Sequence, residues 1–183
     1  LKLHGKSRFF DAMEKYIDYI AATFGRESGK KKGYPGHQEI ELALLKAHEQ
    51  TNKKKFLDLA DYFLSERGSY PHYYDEEERQ LKLKEKQIDI EDYPSFVRDY
   101  VSHFETGGGN YDYWQAHDLP VNQKTAEGHS VRALYMYTAM ADLARIKNDS
   151  IMLQTCKDLW RSIVDKRMYV HGGVGSSHIG ERF

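Results

Sequence analysis

Cysteine is almost absent from this sequence. Cys156 stands alone among 183 residues, so no intrachain disulfide can form and the disulfide-stapled small domains are excluded. Proline is scarce too, and three of the four prolines fall between Gly68 and Gln123. No apolar run approaches the roughly 20 residues that a bilayer span needs. The opening Leu1-Lys2-Leu3-His4 has neither an initiating Met nor the apolar stretch of a signal peptide, and the compartment stays open. A net charge of -1 leaves no sustained positive field, which excludes a general nucleic-acid or anionic-membrane surface. Lys30 to Lys32 and Lys53 to Lys55 are therefore read as solvated faces. What is present suits a folded core: 40% hydrophobic and 13% aromatic residues, far from the composition of a disordered tail. Both ends read as cuts through a larger unit, which predicts one domain over 1–183 that is incomplete at each end.

The apolar periodicity is helical. Phe10, Met13, Tyr16, Ile17, Ile20 and Phe24 recur at three- and four-residue steps after Ser7, up to Gly25. A second helix is expected from about Gln38 to Glu49 and a third through Phe56, Leu59, Ala60, Phe63 and Leu64. Regularity returns at about Thr125, with one helix predicted to Ile146 and another from Ser150 to Arg167. The span 68–123, rich in proline, tyrosine and charge, reads as a long inserted loop with short helices, one of them at Ser95–Phe104. Met168-Tyr169-Val170 reads as a short extended piece leading into Gly172-Gly173-Val174-Gly175.

An internal repeat organises these helices. Gly36-His37 precedes a helix with Leu42 and Ala47 five and ten residues after the histidine, and Gly128-His129 precedes one with Leu134 and Ala139 at the same offsets. Each copy then reaches an Asn, Asn52 or Asn148, and a second amphipathic helix. The pattern predicts an all-α fold of stacked helical hairpins, either an open solenoid or a closed toroid. In a toroid, His37 and His129 would face one cavity.

Imidazole suits sugar hydroxyls, since its neutral form offers one donor and one acceptor. Neither histidine has a second His or a Cys at zinc-ligand spacing, so no metal site is expected within these residues. Glu39 and Glu41 stand in a first helical turn, where the helix dipole alone favours carboxylates. Gln115-Ala116-His117 follows Tyr111, Tyr113 and Trp114, an aromatic and polar mixture found both in carbohydrate clefts and in ordinary loop packing. Gly172 to Gly175 lacks the Gly-Lys-Ser/Thr of a phosphate loop, and suits a turn that brings backbone close to a ligand, with Glu181 beyond it as a possible acid/base. Cys156 lies on a helical stripe with Leu153, Leu159, Trp160 and Ile163 and is expected to be a buried small hydrophobe.

Four blocks together resemble glycoside hydrolase family 127, the β-L-arabinofuranosidases. They are Gly33-Tyr34-Pro35-Gly36-His37-Gln38-Glu39-Ile40-Glu41-Leu42-Ala43-Leu44, Gln115 to Val121, Gly128 to Ala133, and Met168 to Ser176 running into Gly180-Glu181-Arg182-Phe183. They come in the family's order and cover nearly the whole chain. The resemblance implies part of an (α/α)6 barrel catalytic domain that releases terminal β-L-arabinofuranosyl residues, with retention, from an oligosaccharide or glycan. It also implies Glu181 as acid/base, and His37 and His129 as sugar-binding residues. The nucleophile implied is a cysteine thiolate held on zinc by one Glu and three Cys, in a part of the family's sequence beyond the Glu181 block. Zinc is thus a cofactor of the full-length enzyme only, and these 183 residues alone are expected not to turn over. Arg182 stands where the family has a small residue and His171 where it has Thr.

Two other readings remain. A non-catalytic helical-repeat interaction module would share the periodicity but leaves the Gly-His junctions unexplained. Another toroid glycosidase, such as an unsaturated uronyl hydrolase, would want an Asp acid/base and a basic pocket for a uronate.

Overall fold

The computed structural model describes residues 8–84 and 111–183, and these are all-helical. Helix α1 spans Arg8–Thr23, α2 Glu39–Thr51, α3 Lys54–Glu66, α4 Tyr73–Lys84, α5 Ser130–Lys147 and α6 Ser150–Lys166; short 3₁₀ turns cover Tyr111–Trp114 and Pro120–Asn122. None of the described helices is long and apolar enough to cross a membrane.

The repeat seen in the sequence is a repeat of structure. Helices α2 and α3 form one hairpin and α5 and α6 another, each turning at its asparagine. Asn52 and Asn148 cap their helices in the left-handed conformation, at φ 56° and 55°, and their backbone N–H groups donate to the His48 and Ala144 carbonyls. Asparagine tolerates this conformation better than other non-glycine residues, which is why it recurs there. The Leu42/Ala47 and Leu134/Ala139 pairs sit alike, the leucines half-buried and the alanines buried.

Helix α2 packs directly on α5, and the two run parallel. His37 meets Tyr135 at the N-terminal end, with ring centroids 5.5 Å apart, while Lys46 Nζ bonds Asp142 Oδ2 at 2.7 Å and Arg145 bonds Glu49 toward the other end. Between them Leu44, Leu45, Met136, Met140 and Leu143 are nearly inaccessible. Helix α1 lies on α3 through edge-on aromatic pairs, Phe10 with Phe56 and Phe24 with Phe63, each at 6.0 Å. Because each hairpin leads in and out at one end, both Gly-His junctions lie at that end.

Four sequence expectations change. Helix α4 is a full helix within what reads as loop, while the expected Ser95–Phe104 helix lies outside the described residues. Helix α5 starts at Ser130 and not near Thr125, because Gly128 has φ +74° and His129 is the N-cap. Met168 to Val170 is no extended piece: Tyr169 N–H donates to Gly173 O and Gly172 N–H to Tyr169 O, which makes a turn. On α6 the buried stripe is Thr155, Leu159, Ser162 and Ile163, whereas Leu153 and Trp160 are exposed and Cys156 is half-buried. Thr155 and Ser162 are buried because their hydroxyls are engaged. Thr155 Oγ1 donates to Val121 O at 2.6 Å, and Ser162 Oγ accepts from Ala126 N at 3.1 Å, which ties the 120–126 loop to α6.

Candidate active site

Three separate stretches meet at the Gly128-His129 junction. His129 N–H donates to Tyr113 O at 3.2 Å, Ser130 N–H to Glu181 O at 3.0 Å, and Phe183 N–H to Gly128 O at 3.1 Å. The glycine-rich segment after α6 thus folds back as a strap along the N-terminus of α5, with an isolated antiparallel bridge between His129 and Arg182. Gly128 is required at this crossing: a Cβ there would stand 2.1 Å from Asp112 O, at a φ that other residues avoid. At Gly175, with φ +95°, an added Cβ would stand 3.1 Å from Ser130 Oγ, tighter than ordinary van der Waals contact, so glycine suits the strap where it passes Ser130.

The strap delivers Glu181 to His129. Its carboxylate Oε2 lies 3.1 Å from His129 Nε2, and the glutamate side chain is 73% exposed while the imidazole is 12% exposed. The carboxylate is therefore turned to the open side and the imidazole is set into the wall. At its other nitrogen, His129 Nδ1 accepts the Arg132 backbone N–H at 3.5 Å as the N-cap of α5. An accepting Nδ1 assigns the proton of the neutral ring to Nε2, so Nε2–H donates to Glu181. Burial lowers the His129 pKa below 6.5, and the Arg132 guanidinium and His37 push the same way, while Glu181 opposes them. The ring is then neutral at pH 7. Protonation below pH 6.5 costs stability, because it removes the Nδ1 acceptor from the cap. Replacing Glu181 by Gln removes the opposing carboxylate, so the His129 imidazole should titrate lower still; an NMR titration of the ring checks this, and an unchanged or higher midpoint would contradict the contact.

Around this pair the aromatic block forms a wall. Tyr113 is buried, its ring edge-on to His129 at 5.7 Å, with the Arg132 and Arg182 guanidiniums 5.2 and 5.1 Å from its centroid. Arg132 also covers the Trp114 ring at 4.0 Å. Arg182 Nη1 bonds Asp112 Oδ2 at 2.8 Å, so this residue clamps the strap to the Tyr111–Trp114 turn. His37 lies on the neighbouring helix start, its side chain 44% exposed, against Tyr135 and 3.9 Å from Glu39. Of the three residues singled out in the sequence, His129 and Glu181 are in contact, and His37 is close enough for its charge to act on His129. Arg132 and Tyr135 were not singled out; Arg132 lies one helical turn after His129, the spacing that could have flagged it.

Below the wall is a buried polar layer that sequence patterning did not anticipate. Gln38, Glu41, Arg67 and Gln115 are all fully buried. Arg67 donates from Nη2 to Pro35 O at 2.5 Å and from Nη1 to Trp114 O at 3.0 Å, and its Nη2 lies 3.4 Å from Glu41 Oε1. Burial pushes the Glu41 carboxyl above its ordinary value, and Arg67 counters it. Glu41, read as a helix-terminus carboxylate, is thus a core ion-pair partner.

Among the described residues no group of three or more His, Cys, Asp or Glu could hold a metal ion. Burial raises the Cys156 thiol to about 11, so at neutral pH it is not a thiolate.

The family model described as β-L-arabinofuranosidase, GH127 catalytic domain, matches residues 1–183. The non-reducing end β-L-arabinofuranosidase of Bifidobacterium longum subsp. longum is 37% identical over 179 residues, covering 98% of this chain and 25% of that protein. The crystal structure of a GH127 β-L-arabinofuranosidase from Geobacillus stearothermophilus T6 superposes with a TM-score of 0.84 at 44% identity, over 100% of this chain and 26% of that one. The GH127 β-arabinofuranosidase BT3674 superposes with a TM-score of 0.74 at 35% identity, over 100% of this chain and 23% of that one. The chain therefore spans about a quarter of the length of the relatives it matches, and its helices form part of the (α/α)6 barrel of these enzymes.

Proposed function

Because the chain belongs to the GH127 β-L-arabinofuranosidase catalytic-domain family, we propose that it supplies the acid/base and sugar-holding wall of a retaining glycoside hydrolase that releases β-L-arabinofuranosyl residues from the non-reducing ends of glycans. The observation that carries this reading is the 3.1 Å contact between His129 Nε2 and Glu181 Oε2 at the open end of the hairpins.

In this proposal Glu181, protonated, gives its proton to the glycosidic oxygen as the bond breaks, and as carboxylate it then takes a proton from the attacking water. His129, neutral and set into the wall, offers Nε2–H to a sugar hydroxyl or to Glu181 itself. His37, exposed on the adjacent helix start, binds a second hydroxyl. The Tyr113 and Trp114 rings with Arg132 hold His129 in place and exclude water behind it.

The family resemblance implies a zinc-held cysteine thiolate as nucleophile. The described residues supply no such ligand group and the sequence has a single cysteine, so no step is routed through zinc here. The nucleophile and its metal are proposed to come from another part of the full-length protein.

The test is hydrolysis of p-nitrophenyl β-L-arabinofuranoside by the full-length protein, with the anomer of the first-formed product read by NMR. Release of β-L-arabinofuranose supports the proposal. Inactivity on this and related furanosides, in a protein that is folded and carries the expected cysteines, would sink the substrate assignment.

A further inference from the structure

Two buried amides connect the two histidine junctions, and nothing in the reaction as proposed requires them. Gln38 directly follows His37 in the chain. Its Nε2 donates to Gln115 Oε1 at 2.7 Å and to Trp114 O at 3.1 Å. Gln115 in turn reaches the other junction: its Nε2 lies 2.9 Å from Glu127 O, 3.3 Å from His129 O and 3.2 Å from Tyr113 O. Both side chains are completely buried. Gln115 is moreover held in the left-handed conformation, at φ 53°, a backbone state that non-glycine residues adopt only when the surroundings impose it.

Only an amide satisfies this position. Gln115 must donate at one atom to a cluster of carbonyls and accept at the other from Gln38. A carboxylate would set oxygen against the carbonyls, and an apolar side chain would leave Glu127 O without this donor in a buried place. The link is short and rigid, and its two ends are the residue after one histidine and the carbonyl of the other. The helices beneath are joined by the apolar seam of Leu44, Leu45, Met136 and Met140, which has no directional bond to fix a spacing, and by exposed ion pairs such as Lys46 with Asp142. The amide pair is a buried hydrogen-bonded link that ends at both histidine junctions.

From this geometry we infer that Gln38 and Gln115 are positioning residues that set the separation of His37 and His129, and so the spacing at which two hydroxyls of one sugar ring are held. The inference rests on the proposed sugar-binding role of the two histidines. Neither glutamine bonds Glu181, whose backbone is held by Ser130 N and Oγ, so the main chain of the acid/base residue is left in place when they change.

The experiment uses the full-length protein with Gln38→Leu and Gln115→Leu, each also combined with His129→Ala. Thr155→Val is the control, since it removes a buried hydrogen bond on α6 remote from both junctions. The expected result is a drop in kcat/KM of about tenfold or more for either glutamine variant, carried mainly by KM, since misplacement of a binding group by a fraction of an ångström has effects of this size. In the His129→Ala background the same change should cost less than about twofold, because the group being positioned is gone. An NMR titration of His129 should also move upward toward 6.5 as the loosened junction admits water, while Thr155→Val lowers the melting temperature without moving the titration. Full multiplication of the effects in the His129→Ala background, with an unmoved His129 titration, would overturn the inference and leave the amides as ordinary core bonds. Should the unmutated protein fail to cleave arabinofuranosides, the proposed function fails by itself, and the His129 titration alone decides the positioning role. Met in place of Leu serves where the leucine variants do not fold.

Discussion

Glu181→Gln in the full-length protein is expected to lower kcat on a glycan-linked β-L-arabinofuranoside by about 10² to 10⁴-fold, the range over which a positioned general acid acts. KM should change little, because the amide keeps the shape of the carboxyl and can still accept from His129 Nε2. The loss should shrink for the bond-breaking step when the leaving group is p-nitrophenolate, which departs without help from a proton. Reactivation by a small external nucleophile would then be visible on the aryl substrate alone. A mutant that retains more than a tenth of the parental kcat on the glycan-linked substrate would remove Glu181 from the acid/base role. The position suits that role on structural grounds. The side chain is 73% exposed, as a group that must reach both a departing oxygen and an incoming water has to be, while its backbone is pinned through Ser130 N and Ser130 Oγ, both bonding to Glu181 O at 3.0 Å. Only the carboxylate end is left to move.

The paired hairpins were legible because their evidence is local. Leu42 and Ala47 against Leu134 and Ala139, and Asn52 against Asn148, are signals that survive without any tertiary context, and each has its structural counterpart. The barrel class and the family came from the four motif blocks taken in order, and no periodicity argument could separate a toroid from a solenoid. What stayed hidden depends on long-range contacts. Helix α4 is anchored in its first turn, where Tyr73 and Tyr74 pack on Tyr34, a long-range contact, while the charge-rich sequence that follows reads as loop. The start of α5 was misplaced because Lys124 to Glu127 has helix-forming composition, whereas a positive φ at Gly128 decides the boundary. On α6, residue type pointed to Leu153 and Trp160, but the buried face is set by where two hydroxyls find backbone partners. Placement of the site residues was legible in part. His129 and Glu181 are 52 positions apart in the chain, and only the return of the glycine-rich strap, through Gly175 and Gly180, brings them together.

The second large effect concerns stability. Arg67→Met in the full-length protein is expected to cost about 3–5 kcal/mol in urea denaturation, the cost typical of breaking a buried ion pair from one side. Arg67 is completely buried at the C-terminal end of α3, where its Nη atoms serve Pro35 O and Trp114 O and its charge faces Glu41, with the Tyr34 ring 4.7 Å from the guanidinium carbon. Methionine fills much of the same volume but leaves Glu41 as a buried carboxyl without its Arg67 partner, and reduces Pro35 O and Trp114 O to the donors Tyr74 Oη and Gln38 Nε2. The pH dependence should change as well. Burial already raises the Glu41 pKa, and loss of Arg67 removes the lowering influence, so the pKa rises further. A carboxyl raised in the folded state favours folding at low pH, where it is protonated, and penalises it as pH climbs through the unfolded value toward the folded one. Arg67→Met should therefore be less damaging at pH 5 than at pH 8. Adding Glu41→Leu to Arg67→Met should recover at least about 1 kcal/mol at pH 8, since the one uncompensated charge that Arg67→Met leaves, on Glu41, then vanishes. Additive losses in the double variant, with no pH dependence, would mean that Arg67 acts through the Pro35 and Trp114 carbonyls alone. The two outcomes differ in consequence for the site. Trp114 O is shared by Arg67 and Gln38, so an ion pair that stiffens Arg67 also stiffens the amide link between the histidine junctions, and the stability of the α2–α3 hairpin is coupled to the geometry of the end that carries the two histidines.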